Sequence, residues 1–173
     1  MLDTPLSRRY ADAAERYTAV VRAHTRGSLG QFLRDVEPAL FAVCSAASEL
    51  PEVAADTEDV PESAEHREEY QKLQGSLSAL LGRYDTYRQF FDPSDAADEE
   101  PVHCLLSLDL VEILEDLEYG RSLLEPSRRV TSADVLWQWR FGFVHHWGRH
   151  ATSALRVINS LLYTRFVDAL DQQ

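Results

Sequence analysis

Apolar residues recur at spacings of three and four along most of the chain, and each such run predicts a helix. The first run is Leu6, Tyr10, Ala13, Ala14, Tyr17, Val20, Val21 and His24, with Arg8, Arg9, Arg16 and Arg22 on the opposite face, and Gly27 closes it. Ser28 followed three residues later by Gln31 is a capping-box signature, so a second helix should open there. Its stripe is Phe32, Val36, Leu40, Val43, Ala47 and Leu50, and Pro38 within it predicts a kink or a restart. A third run, Tyr70, Leu73, Leu77, Leu80, Leu81 and Tyr84, weakens at Gly82 and Asp85. The aromatics Tyr84, Tyr87, Phe90 and Phe91 then predict a short packed helical turn before Asp92 and Pro93. The fourth helix, roughly 102–124, is apolar nearly all round over Leu105, Leu106, Leu108, Leu110, Val111, Ile113, Leu114 and Leu117, the pattern of a helix central to its bundle. The fifth, 134–155, is capped by Thr131 with Asp134 and carries all three tryptophans together with His145, His146 and His150. The expected fold is all-α: one domain over 1–173, a bundle of five main helices plus a short helical turn, with a long aromatic-rich C-terminal helix and no sheet.

Two acidic stretches, 52–69 and 94–100, interrupt the pattern; they offer little that is large and apolar to offset ordering entropy, so mobile loops are expected there. No internal repeat, glycine-rich phosphate cradle, G-x-S-x-G elbow or H-E-x-x-H pair is present. A net charge of −12 and a pI near 4.8 disfavour a phosphate-tracking surface, so nucleic acid is not an expected partner. Cys44 and Cys104 lie far apart in what read as apolar helical patterns and are expected to be reduced thiols. No apolar run of signal-peptide or membrane length is seen, so a cytoplasmic protein without membrane contact is expected.

Chemistry concentrates where the fourth and fifth runs meet. Asp109, Glu112 and Asp116 share one stripe at i, i+3, i+7, bordered by Leu105 and Leu108, so at least one carboxylate should be partly buried and need a partner. The short turn 125–132 makes the fifth helix antiparallel to the fourth and offers Arg140, Arg149, His146 and His150 as partners. His146 and His150, one turn apart, fall on the face of Trp139 and Phe143 and point inward. Three readings follow. The seven charged and imidazole side chains could form a satisfied polar cluster that fixes the register of the two helices. His146 and His150 with Glu112 and Asp116 could bind a divalent metal, although the duplicated Glu-x-x-His of carboxylate di-metal bundles is missing. Trp139, Phe143 and Trp147 could line a small-ligand pocket, although so many aromatics on several faces of one helix usually mean core. His145 is expected to be solvated, and His24, His66 and His103 to be surface or helix-end residues.

Leu50-Pro51, the run from Leu81 to Tyr87, Phe91-Asp92-Pro93, the run from Leu108 to Gly120, and Trp137 to Phe141 continuing through His146 to His150 together resemble the bacterial family called domain of unknown function 5063. The resemblance covers most of the chain and implies a small helical protein, with no activity to carry over. The function expected is a non-catalytic regulatory or adaptor module that binds another protein, with no cofactor. The alternative is a metal-dependent enzyme or metal-binding protein using the His/carboxylate cluster.

Overall fold

The computed structural model describes residues 2–57, 67–90, 94, 95, 97 and 100–163. Six α-helices appear among them: α1 (Pro5–Arg22), α2 (Leu29–Ser48), α3 (Arg67–Leu81), α4 (Leu106–Ser122), α5 (Ser132–Gly142) and α6 (Gly148–Tyr163). The protein is mostly helical, but it also carries an antiparallel pair of short strands, β1 (Thr86–Gln89) and β2 (Val102–Leu105), in the register Thr86 to Leu105 and Gln89 to Val102. The all-α expectation is corrected there: Tyr87 belongs to a strand and not to a helical turn, and the four residues before Leu106 extend to pair with it instead of starting α4. Cys104 consequently sits in a strand, while Cys44 is helical, and both thiols are free. Phe91 and the pair Asp92 and Pro93 lie outside the described residues, as do residues 96, 98 and 99 of the acidic stretch 94–100.

Helix starts follow local chemistry. Thr4 and Ser7 form a reciprocal capping box with Pro5 in the first turn of α1. Ser28 accepts from the Gln31 amide at 3.2 Å, but the Gln31 side chain turns to Asp35 instead of closing the box. No restart occurs at Pro38; α2 is one helix from Leu29 to Ser48. Leu105, at the start of α4, offers no capping side chain, and Asp85 supplies one from the start of the hairpin. Its Oδ1 accepts from the Ser107 amide at 2.7 Å, its Oδ2 from the Ser107 and Ser78 hydroxyls, and its backbone carbonyl from the Leu106 amide.

The core is built around α4, whose Leu106, Leu110, Ile113, Leu114 and Leu117 are buried. Helix α1 lies antiparallel to α2, since Arg9 near its start pairs with Glu49 after the end of α2. It meets α4 through the buried Tyr17 hydroxyl, which donates to the Leu110 carbonyl at 2.9 Å. Arg22 grips both oxygens of Glu118 and reaches Glu69, while Tyr70 donates to Glu118, so one carboxylate joins α1, α3 and α4. His24, expected to be a surface or helix-end residue, is 7% exposed just after α1 and bridges the Val21 carbonyl to the Ser76 hydroxyl.

The stretch 132–163 is helical throughout, but Phe143–Trp147 forms a π turn between α5 and α6, closed by the Gly148 amide donating to the Phe143 carbonyl five residues back. Gly148 has a steric reason to be glycine: a Cβ there would lie 2.3 Å from the Phe143 carbonyl oxygen. Of the stretch 52–69, residues 67–69 belong to α3, and Asp56 and Thr57 donate their amides to Asp134 Oδ1 at 2.8 and 3.0 Å. Residues 58–66 lie outside the described residues, His66 among them.

Candidate functional site

Three elements converge on the candidate site. The stripe on α4 places Asp109, Glu112 and Asp116 one turn or two apart on the side facing the helical run 132–163, and β1 lies across its N-terminal end. Asp109 is the deepest of the three, 5% exposed, and its carboxylate is fully engaged. Oδ1 accepts from His150 Nδ1 at 2.8 Å and Oδ2 from the Tyr87 hydroxyl at 2.5 Å. Asp116, two turns along, accepts from His146 Nδ1 at 2.8 Å, and Glu112 approaches His146 Nε2 at 3.6 Å. The two imidazoles stand edge to face with ring centres 5.2 Å apart. Each Nδ1 facing a carboxylate must carry its proton, so a neutral ring presents Nε2 as an acceptor.

The electrostatics are those of a partly dried site. Burial pushes the Asp116 carboxyl above its ordinary range, Glu112 adds to that, and the hydrogen bond from His146 opposes it. Burial and then the neighbouring Glu112 and Asp116 raise Glu115 in the same sense. Burial, and then the hydrogen bond to Asp109, push the Tyr87 hydroxyl far up, so it stays a donor at any physiological pH.

Of the seven residues expected in the polar cluster, five come together: Asp109, Glu112, Asp116, His146 and His150. The two arginines do not. Arg140 turns the other way and donates to the Leu50 carbonyl at 2.8 Å, closing the end of α2 against α5. Arg149 is exposed, because the residue before His150 faces away from α4. Tyr87 is the member that periodicity could not supply, since only strand pairing brings it over α4. Among the described residues no group of three His, Cys, Asp or Glu side chains converges in a geometry suited to a metal ion.

The three aromatics expected around a pocket are placed mainly in the core. Trp139, 5% exposed, donates Nε1 to the Gly120 carbonyl at 3.0 Å and stacks at 4.6 Å on Tyr10. Trp147 is 1% exposed and packs on the half-buried Phe143 at 4.8 Å. The outward side of α5 is different. Trp137 stacks on Phe141 at 4.6 Å, Phe141 meets the exposed His145 at a tilt at the same distance, and Phe141 and Val144 are 42% and 55% exposed. With Glu52, Val53 and Arg140 these four line a cleft of about 310 Å³.

The sequence matches the family model described as Domain of unknown function (DUF5063) over residues 4–164. No curated protein matches it. Among solved structures, the chain is similar to the crystal structure of protein BF1032 from Bacteroides fragilis, at 18% identity and a TM-score of 0.80, with 95% of this chain and 97% of that one covered. At that identity the likeness concerns the fold alone.

Proposed function

Since the chain belongs to the family described as domain of unknown function 5063, whose description names no activity, its own surface has to carry the reading, and we propose a non-catalytic regulatory or adaptor module that binds another protein. The observation that supports it is the apolar strip Trp137, Phe141 and Val144 on the outer side of α5, beside a cleft deep enough for one anchoring side chain. Exposed aromatic patches of this kind are costly to leave in water and are characteristic of binding surfaces. The partner is a protein that presents an apolar anchor, and the net charge of −12 on the chain favours one whose surface is basic. The His/carboxylate pairs have a structural role in this reading: each imidazole is held by a carboxylate of α4, which fixes how α6 lies on it.

The test compares baits. Wild-type protein and the His150→Ala variant should retain a common partner that Phe141→Asp loses, with the Phe141→Asp melting temperature close to wild type. In purified form that pair should bind at least tenfold more weakly after the substitution. An identical set of proteins on all three baits would overturn the reading.

A metal-binding alternative draws support from one geometric fact, that His146 stands between Asp116 and Glu112. Chelation followed by readdition of zinc, manganese or iron should move the melting temperature if that alternative holds, and should leave it unmoved if the pairs are structural.

A further inference from the structure

A large cavity, about 680 Å³, lies between the β1–β2 hairpin, the first turn of α4 and the start of α6, away from the α5 strip. Its walls are chemically divided. Phe90, Val102 and Leu108 are large apolar side chains left 46%, 39% and 39% exposed, and all three face this one space. Arg149 and Arg156, on α6, line the same space. Arg156 also borders a second cavity of about 350 Å³, lined in addition by Arg83, Arg88 and Ser160, so one guanidinium stands at the junction of an apolar space and an arginine-rich one.

The charge distribution makes this placement informative. The chain has 29 acidic residues against 17 basic ones, so carboxylates are in excess, and three arginines elsewhere are held by one: Arg8 by Asp3, Arg9 by Glu49, Arg22 by Glu118. Among the described residues Arg149 and Arg156 have no carboxylate partner; the one contact of the Arg156 head is a long hydrogen bond, 3.3 Å, to the Arg88 carbonyl. The single acid in the wall, Asp109, is already engaged by Tyr87 and His150. Unmatched guanidinium groups beside an exposed apolar wall suit a molecule with one anionic head and an apolar body. The head would take charge-assisted hydrogen bonds and the body would cover Phe90, Val102 and Leu108.

We propose that this cavity binds a free amphipathic anion, a carboxylate or phosphate carried on an apolar chain, with the head at Arg156 and Arg149 and the chain against the hairpin. The proposal is independent of the partner surface on α5.

Titration calorimetry on the full chain tests it, with decanoate below its micellar concentration as the probe, decanol as its uncharged counterpart, and inorganic phosphate as a head without a tail. Decanoate is expected to bind saturably at one site, and decanol and phosphate each at least tenfold more weakly. Arg156→Ala should weaken decanoate tenfold or more, and Leu108→Trp, which fills the apolar half, should do the same. Phe141→Asp should leave the affinity unchanged. Melting temperatures of the variants near wild type exclude unfolding as the cause, and should Leu108→Trp not fold, Arg149→Ala replaces it. Equal affinity for decanol, undiminished affinity in Arg156→Ala, or no decanoate binding would overturn the proposal. So would capture by phosphatidylglycerol vesicles without binding of decanoate, which would point to a lipid surface.

Discussion

Asp109 accepts two hydrogen bonds in a nearly closed setting, so removing either donor or the acceptor leaves a buried polar group without its partner. Asp109→Ala or His150→Ala should therefore cost about 1–3 kcal/mol, read as a lowered melting temperature that chelator does not alter. A wild-type protein that melts lower with chelator, and a His150→Ala variant that does not respond, would assign the histidines to a metal instead. Asp134 gives a prediction with a pH axis. Its carboxylate is fully enclosed. Burial alone would raise its pKa, but the amides of Thr131, Thr57 and Asp56 and the Thr131 hydroxyl outweigh burial and bring it from 3.8 to about 2. A depressed folded-state value means stability that is present above the unfolded value and lost as pH falls through the folded one. Wild-type melting temperature should accordingly drop faster than that of Asp134→Asn as the medium is acidified from 3.8 towards about 2, and parallel curves would contradict the assignment. That His146 and His150 meet the α4 carboxylates was legible in part, because i, i+4 on one helix and i, i+3, i+7 on another show which faces meet, but the same spacing also offered Arg140 and Arg149, which turn elsewhere. Tyr87 and the engagement of His24 were not, since Tyr87 reaches Asp109 only through strand pairing and the Ser76 partner of His24 lies on a helix whose position against α1 no spacing along the chain announces.

At the scale of the element, the π turn decides how the site is presented. Without it, α5 and α6 would be one straight helix, and the face that seats Trp139 on Gly120 would be out of phase with the face that seats Ala151, Ala154 and Ile158 in the core. Gly148→Ala forces the new methyl group against the Phe143 carbonyl, so the turn must open or revert to α geometry. The expected cost is roughly 1–3 kcal/mol, with a changed near-ultraviolet circular dichroism signal from Trp147. An unchanged signal and melting temperature would show that the turn is not fixed by Gly148. The extra residue displaces the apolar pattern of 134–155 by a single position, and a shift that small is absorbed in the alternation of three- and four-residue spacings by which a helix is read. The hairpin was hidden for a related reason: Val102, Cys104 and Leu105 are as compatible with an all-round apolar helix as with a strand, and only the non-local pairing to Thr86–Gln89 settles it. The long helices and the caps at Ser28 and Thr131 were readable because their signals are local, within three or four residues.

On the scale of the whole molecule, the apolar runs were enough to identify a helical protein organised around α4, while the placement of surface charge required the structure. Arginine is scattered along the sequence, yet folding collects Arg83, Arg88, Arg149 and Arg156 around adjoining spaces on the hairpin side. Asp85 bears on how these parts move together. Because the first amides of α4 are satisfied by a residue at the root of the hairpin, the first turn of that helix has no independent means of staying closed. Hairpin and helix start form one opening unit, and the floor of the large cavity belongs to both. In native-state hydrogen exchange, the Leu106 and Ser107 amides should share a single opening free energy with the β1–β2 amides, distinct from that of the α4 interior around Ile113. In Asp85→Ala both sets should quicken together. If the hairpin amides exchanged freely while those of Leu106 and Ser107 stayed protected, the strands would be able to peel away with the helix start intact, and whatever occupies the cavity would enter by that route.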